Sequence, residues 1–375
     1  MSRKKQCVVL LALLLAAMAM VPMVSAAGEH SQDSTVTQGI SDPMKDPEIM
    51  EILKNAATRE ALPESISGQI DKESKLISPT FDSSAESYLN NYVSPSQQLI
   101  TLMKAKKYSN DQITKLLEKN GYNWDPKTGS SWKGTAPTPE EQKNINRIRG
   151  PSYDPFSVNS HEPDRVVRDW NGRAGGALQK VVNENLFFGI NCYMSPGSMT
   201  IGPSGTFMHV VTTHVGKPTP SGQEDWIEAG VVNSMNDPYA RYFTFDNDEG
   251  EWQFHGAAET GVFKNYLIYV TSNYDPAGYM YHCWIDNNWV RSGHLKARET
   301  GINYANEIWT LGTNWFSHDS TNPTFQYGYL YKSSGLQLWG DYWGSLTSWS
   351  TDQYGYALQD YYMNGGSWKF ISWNI

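Results

Sequence analysis

Beyond about Leu186 the chain is patterned in short apolar and aromatic runs, each closed by Gly, Asn, Asp or Pro. Thr206–Val215, Trp226–Asn233, Tyr239–Phe245, Tyr266–Ser272, Tyr279–Ile285, Ala305–Leu311, Thr324–Tyr331 and Trp368–Trp373 are the clearest. Asp246-Asn247-Asp248-Glu249-Gly250 and Asp286-Asn287-Asn288 are turn signals between them. Many short strands with almost no helical periodicity predict an antiparallel sandwich or barrel. Before residue 150 the pattern changes. Ser94-Pro95-Ser96-Gln97 supplies a capping hydroxyl, a proline at the first helical position and a reciprocal glutamine, which opens a helix to about Lys106. Ser109-Asn110-Asp111-Gln112 opens a second, with Ile113, Leu116 and Leu117 on one face and Gly121 as its stop. Together they predict a small helical hairpin. Thr138-Pro139-Glu140-Glu141 is a third cap, and residues 28–45, rich in Ser, Thr, Asp and Gln, are expected to be disordered.

At the N-terminus Arg3, Lys4 and Lys5 precede an apolar run from Val8 to Met20, and Val24-Ser25-Ala26-Ala27 offers small residues to a signal peptidase. The run is short for a spanning helix of ~20 residues. Residues 1–27 therefore read as a cleaved export signal and the mature protein as secreted. No later stretch reads as a membrane span. The organisation expected is a signal peptide (1–27), a helical, partly disordered region (28–150) and a β-domain (151–375). A charged fraction of 18% and a formal net charge of -9 exclude a nucleic-acid partner, since phosphate binding needs a basic surface. Cys192 and Cys283 remain after signal removal. In an oxidising compartment they are expected to form one bridge, the other reading being two buried thiols.

Two segments carry candidate chemistry: Trp226-Ile227-Glu228-Ala229-Gly230-Val231 and Tyr304-Ala305-Asn306-Glu307-Ile308-Trp309. A carboxylate inside an apolar strand is costly to desolvate and needs a partner or a task. Alternation puts Trp226, Glu228 and Gly230 on one face of their strand, and Glu307 on a face with Trp309. Each face is either a groove lining or a solvated surface.

The first segment, with Tyr239–Phe245 and Trp252-Gln253-Phe254-His255-Gly256 after it, resembles the first catalytic strand region of the glutamic peptidases, the neprosin and eqolisin families. Asn303–Trp309 is similar to the segment holding the eqolisin glutamate. The chain departs in having Val231 where neprosins have Trp, and Ala-Asn-Glu where they have Gly-Gly-Glu. The resemblance implies a mainly β fold, an antiparallel concanavalin-like β-sandwich (jelly roll) preceded by a small helical region. It implies a polypeptide substrate, Glu307 as general base and Glu228 as the group that polarises the scissile carbonyl. Two such carboxyls share a proton, so an acid pH optimum is expected.

A second reading uses the aromatics. Trp226, Trp252, Trp309 and Trp315 either line a substrate groove, stack on sugar rings in a lectin-like module, or pack in the core. The Glu-x-Asp-x-x-Glu strand of jelly-roll glucanases is absent from the sequence. His209 and His214, on opposite faces of one strand, are a poor zinc pair, and Asp246–Gly250 reads as a hairpin turn, not a calcium loop. No Gly-x-Ser-x-Gly elbow occurs. No metal or cofactor is expected. Residues 28–150 read as either a removable propeptide, with Lys143–Arg149 as a processing site, or a permanent accessory region.

Overall fold

Side-chain caps start the N-terminal helices at the residues the sequence marks. The Ser94 hydroxyl accepts the N–H of Gln97 while the Gln97 side chain accepts the N–H of Ser94, and Ser109 and Gln112 repeat the arrangement. Asp46 and Asp82 cap two earlier helices that the sequence reading did not anticipate. The computed structural model describes residues 42–70, 76–149, 173–181, 186–200, 206–218, 224–234, 239–311, 319–321, 323–339, 346–350, 356–363 and 367–374. The export segment, residues 28–41 and the boundary near residue 150 lie outside them; of the stretch 28–45 expected to be disordered, Pro43–Lys45 form a 3₁₀ turn capped by Asp42.

The helices are α1 (Pro47–Lys54), α2 (Ala56–Glu60), α3 (Glu64–Ser67), α4 (Ser83–Asn90), α5 (Pro95–Ala105), α6 (Asn110–Lys119) and α7 (Pro139–Arg149). The strands begin with β1 (Gln69–Ile70), β2 (Leu76–Ile77), β3 (Tyr122–Trp124), β4 (Ser131–Lys133), β5 (Arg173–Val181), β6 (Gly189–Ser195) and β7 (Ser198–Thr200). They continue with β8 (Thr206–Pro218), β9 (Glu224–Ser234), β10 (Arg241–Asp246), β11 (Glu251–Ala257), β12 (Lys264–Asp275), β13 (Gly278–Ile285) and β14 (Asn288–Leu295). The last are β15 (Gly301–Leu311), β16 (Asp319–Thr321), β17 (Thr324–Lys332), β18 (Gly335–Leu338), β19 (Leu346–Ser350), β20 (Tyr356–Met363) and β21 (Ser367–Asn374).

Two large antiparallel sheets form the body. A seven-stranded sheet runs β11-β10-β9-β8-β15-β5-β19, and a ten-stranded one runs β20-β21-β17-β6-β12-β13-β14-β4-β3 with β18 on β17. Strand alternation gives each an apolar face, and these meet. Val211, Val215, Ile227, Ala229, Val231 and Ile302 from the first join Cys192, Met194, Tyr266, Ile268, Val270 and Tyr281 from the second in one buried cluster. The mainly β, jelly-roll-type sandwich with helices before it is the fold expected from the sequence.

The ten-stranded sheet is covered on its other face by the N-terminal helices. Tyr92 meets His282 and Trp284 edge-on at 5.0 and 4.9 Å, and Phe81 meets Tyr331 at 5.0 Å. Tyr193 donates its hydroxyl to the Gly68 carbonyl at 3.1 Å. The β3–β4 hairpin continues the sheet past β14, with Arg291 opposite Trp132. Buried Glu60 of α2 fastens that hairpin, accepting from the Tyr122 hydroxyl and, at 2.7 Å, from Lys133 Nζ. The N-terminal region thus supplies both a helical layer and two strands.

Candidate active site

The seven-stranded sheet sends Ile227, Ala229 and Val231 into the core and turns Trp226, Glu228, Gly230 and Val232 to its other face. Residues directly opposed across strands share a face. Glu228 of β9 is opposed to His214 of β8, which is opposed to Asn303 of β15, and Phe245 of β10 flanks Glu228 on the other side. The next level of this face carries Gly230, Thr212 and Ala305, with the buried Phe243 of β10 opposite Gly230. The level beyond holds Val232, Val210 and Glu307, with Arg241 of β10 opposite Val232. Register therefore brings Glu228 and Glu307 to one face, on strands separated by β8. The row of small residues lies between their levels as a floor. Four residues of strand separate those levels, about 13 Å, and two strand spacings separate the strands, about 10 Å.

Glu228, His214 and Asn303 are wholly buried. Trp226 Nε1 donates to Glu228 Oε1 at 2.6 Å, and His214 Nδ1 lies 3.6 Å from the same oxygen. Removing a carboxylate from water costs several kcal/mol. The indole N–H offsets part of that cost, and the imidazole beside it gives Glu228 a titratable neighbour. The side chain of Glu307 lies outside the described residues, as do that of Trp309 and the whole of Trp315. Backbone pairing sets Trp309 opposite Met208, one level past Glu307 on the same face.

Trp226 and Trp252 are only 6% and 1% exposed. They belong to an apolar cluster with Met208, Val210, Val232, Phe243, Phe245, Phe254 and Ile145. The Trp252 ring lies 4.4 Å from Phe243 and 5.3 Å from Phe245. The aromatics of this face are packed rather than open to water. Ile145 comes from α7, which reaches β8 and β15. Glu141, one turn earlier on α7, pairs with Arg241 Nη2 of β10 at 3.1 Å. The helix thus crosses the strands, over the level that carries Glu307. Lys143, Arg147 and Arg149, read as a processing site, lie within this helix. A protease needs extended chain, so that stretch is not presented for cleavage while α7 is formed.

The hairpin turn after β10 anchors the end of the site. Asn247 Oδ1 accepts the Trp226 N–H at 2.6 Å. Asp246 accepts the N–H of Asp248 at 3.0 Å and, with its other oxygen, the Tyr281 hydroxyl at 2.7 Å. Buried Arg291 pairs with Glu249 and stands 4.0 Å from Asp246. Burial pushes the Asp246 carboxyl up to about 7 against the pull of Arg291. Burial likewise pushes Asp225 up to about 6, although it accepts the Lys296 N–H.

The expected disulfide is corrected: Cys192 and Cys283 are free, buried thiols. Cys192 is opposed to Tyr266 and Cys283 to Ile268, so β12 runs between them. Two strand spacings put their Cα atoms at least about 10 Å apart, beyond the ~7 Å limit of a bridge. Burial raises both thiols well above their usual range, which keeps them protonated and unreactive.

Sequence reasoning gave His214 no role beyond excluding a zinc pair, and gave Asn303 and Arg241 none. The available signal was parity: His214 alternates with Thr212 and Val210 on one strand face. Its partner strand was not readable from that segment.

No protein-family model and no curated protein matches this chain. Among solved structures it is similar to scytalido-glutamic peptidase bound to a peptide-based transition-state analogue, at 12% identity over 53% of this chain and 97% of that one, with a TM-score of 0.33. It is similar to SCP-B, an eqolisin-family peptidase in complex with a tripeptide, at 12% identity over the same shares and a TM-score of 0.32. A Bacillus licheniformis β-glucanase aligns over 46% of this chain and 71% of its own length, at 9% identity and a TM-score of 0.25. No helix among the described residues is long and apolar enough to cross a membrane.

Proposed function

We propose that the protein is a secreted glutamic-type endopeptidase that cleaves polypeptides with Glu228, Glu307 and an activated water, with an acid pH optimum. The observation that carries this reading is the floor of Gly230, Thr212 and Ala305 between the levels of the two glutamates on one sheet face. On this reading a chain laid across those strands runs between the levels of Glu228 and Glu307, whose Cα atoms the register sets about 16 Å apart. In the proposed reaction Glu307 takes a proton from water as its oxygen attacks the scissile carbonyl carbon. Protonated Glu228 donates a hydrogen bond to the developing oxyanion, and the proton that Glu307 took from water passes to the nitrogen as the C–N bond breaks, which returns Glu307 to its carboxylate. The mechanism needs one carboxyl protonated and one ionised, hence the acid optimum.

The alternative is a glycan-binding module; Trp226 and Trp252 are buried, as Glu228 is, so neither ring is an open platform in this state. The test is an acid-pH digest of an unstructured protein by wild type, Glu228→Gln and Glu307→Gln. Each is run as the full chain and with Ile145→Asp added to loosen α7. Each glutamine variant should lose at least about a hundredfold, the scale of a general acid or base. Equal cleavage by all three, or wild-type activity that keeps rising to pH 8, refutes the proposal.

A further inference from the structure

The helix that lies over the candidate site also displays what that surface is built to hold. Ile145 is 7% exposed and enters the apolar cluster that includes Met208, Val210 and Val232. Glu141 meets Arg241, whose guanidinium carbon is poised 3.7 Å from the Phe254 ring centre. That stacking orients the guanidinium from below. The Glu141 carboxyl is desolvated, yet it is held below the usual range by the Thr138 N–H and hydroxyl and by Arg241. Arg241, Val232 and Val210 lie at the level of Glu307, and Met208 one level beyond.

We propose that Arg241 and the apolar cluster that includes Met208, Val210 and Val232 form a two-point recognition site for polypeptide carrying an acidic and an aliphatic residue, and that α7 occupies it in cis. This adds substrate preference to the proposed function and rests on it only in taking the bound polypeptide to be a substrate. Helical spacing sets the pattern. Glu141 and Ile145 are four residues apart, about 6 Å along a helix axis. In an extended chain the same span is two residues, about 6.7 Å. An extended substrate therefore presents Asp or Glu two positions before Ile, Leu or Val. With α7 in place the two points are filled, so free substrate competes with the chain's own helix.

The experiment uses the full chain carrying Glu141→Lys and Ile145→Asp, which disfavour its own helix. A synthetic peptide of residues 136–150 is titrated in and followed by tryptophan fluorescence. Saturable binding is expected. A peptide with Glu141→Lys should bind at least about tenfold more weakly, the scale of a charge-assisted hydrogen bond. Arg241→Glu in the protein should reverse that preference. No binding, equal binding of both peptides, or no reversal overturns the proposal. Should the doubly substituted chain fail to fold, hydrogen exchange of α7 in the full chain replaces it. Arg241→Glu should then speed exchange over residues 139–149, and adding Glu141→Lys should slow it again; failure to slow it overturns the proposal. Charge-reversible binding without any cleavage would sink the peptidase reading and leave this one standing.

Discussion

Replacing Asp246 with Asn should make the protein progressively more stable than wild type as pH rises from about 4 to 7. Asp246 is 1% exposed, and its carboxyl titrates near 7 in the folded protein. In the unfolded chain the same group titrates near 3.9. Between those values the folded state keeps a proton that the unfolded state has released. The contribution of Asp246 is therefore fully present below pH ~4, lost as pH rises toward 7, and constant above that. Each unit of the interval is worth about 1.4 kcal/mol. From pH 5 to pH 8 the loss is then about 3 kcal/mol. Asn keeps one acceptor oxygen for the Asp248 N–H, turns its amide N–H to the Tyr281 oxygen and does not titrate, so the variant lacks this loss. Arg291 retains its Glu249 partner. Asp225, its carboxyl pushed up to about 6, is present in both proteins, but its charge helps to raise Asp246, so the variant also removes that coupling. Urea denaturation of both proteins at pH 5, 6, 7 and 8 reads the effect directly. Parallel stability curves, or a variant that gains on acidification, would refute the assignment of Asp246 as a buried, destabilised anion.

The opposite sign is expected at His282. Burial first, and His294 second, lower its imidazole to about 3, so it folds neutral while the unfolded chain protonates near 6.5. Its stabilising contribution is present above pH ~6.5 and falls by about 2 kcal/mol by pH 5; His282→Gln should flatten that acid limb in denaturation curves. Gly230→Ala places a Cβ 2.1 Å from the Val211 carbonyl oxygen, which forces β8 and β9 apart. A loss of at least about 1–3 kcal/mol in urea denaturation is expected, together with lost cleavage through misalignment of Glu228. Reductant should leave the melting midpoint unchanged, and Cys192 and Cys283 should react with an alkylating reagent only after denaturation, as mass spectrometry can read.

Strand identity and strand parity are local properties, and both were legible. The runs Thr206–Val215, Trp226–Asn233 and Ala305–Leu311 fall in β8, β9 and β15, and their alternation puts Glu228 with Trp226 and Glu307 with Trp309. The reason is physical: a strand buried on one side writes its period of two into the sequence. Register is not local. Which residue faces Glu228 depends on how far β8 slides against β9, a slide set by packing of the whole core rather than by either segment. His214 and Asn303 became visible only through pairing, and the four-residue offset of Glu307 likewise.

The same distinction explains the disulfide. Cys192 and Cys283 do lie on one face of one sheet, as two cysteines seeking each other would. The intervening strand β12 keeps them apart, and strand order cannot be counted from spacing in sequence. The N-terminal hairpin Tyr122–Lys133 was hidden for a related reason. Its strands are three residues each, too short to show a period, and they exist because β14 offers an edge to pair with. Helix α7 completes the pattern. Its start was marked by Thr138 and Glu141, whose capping contacts are both present. Its placement was not, because the partner that captures Glu141 is an arginine 100 residues further on, across the face of another sheet. Where a segment's own residues decide its conformation the sequence can be read directly; where a distant surface chooses among its faces, that surface must be known first.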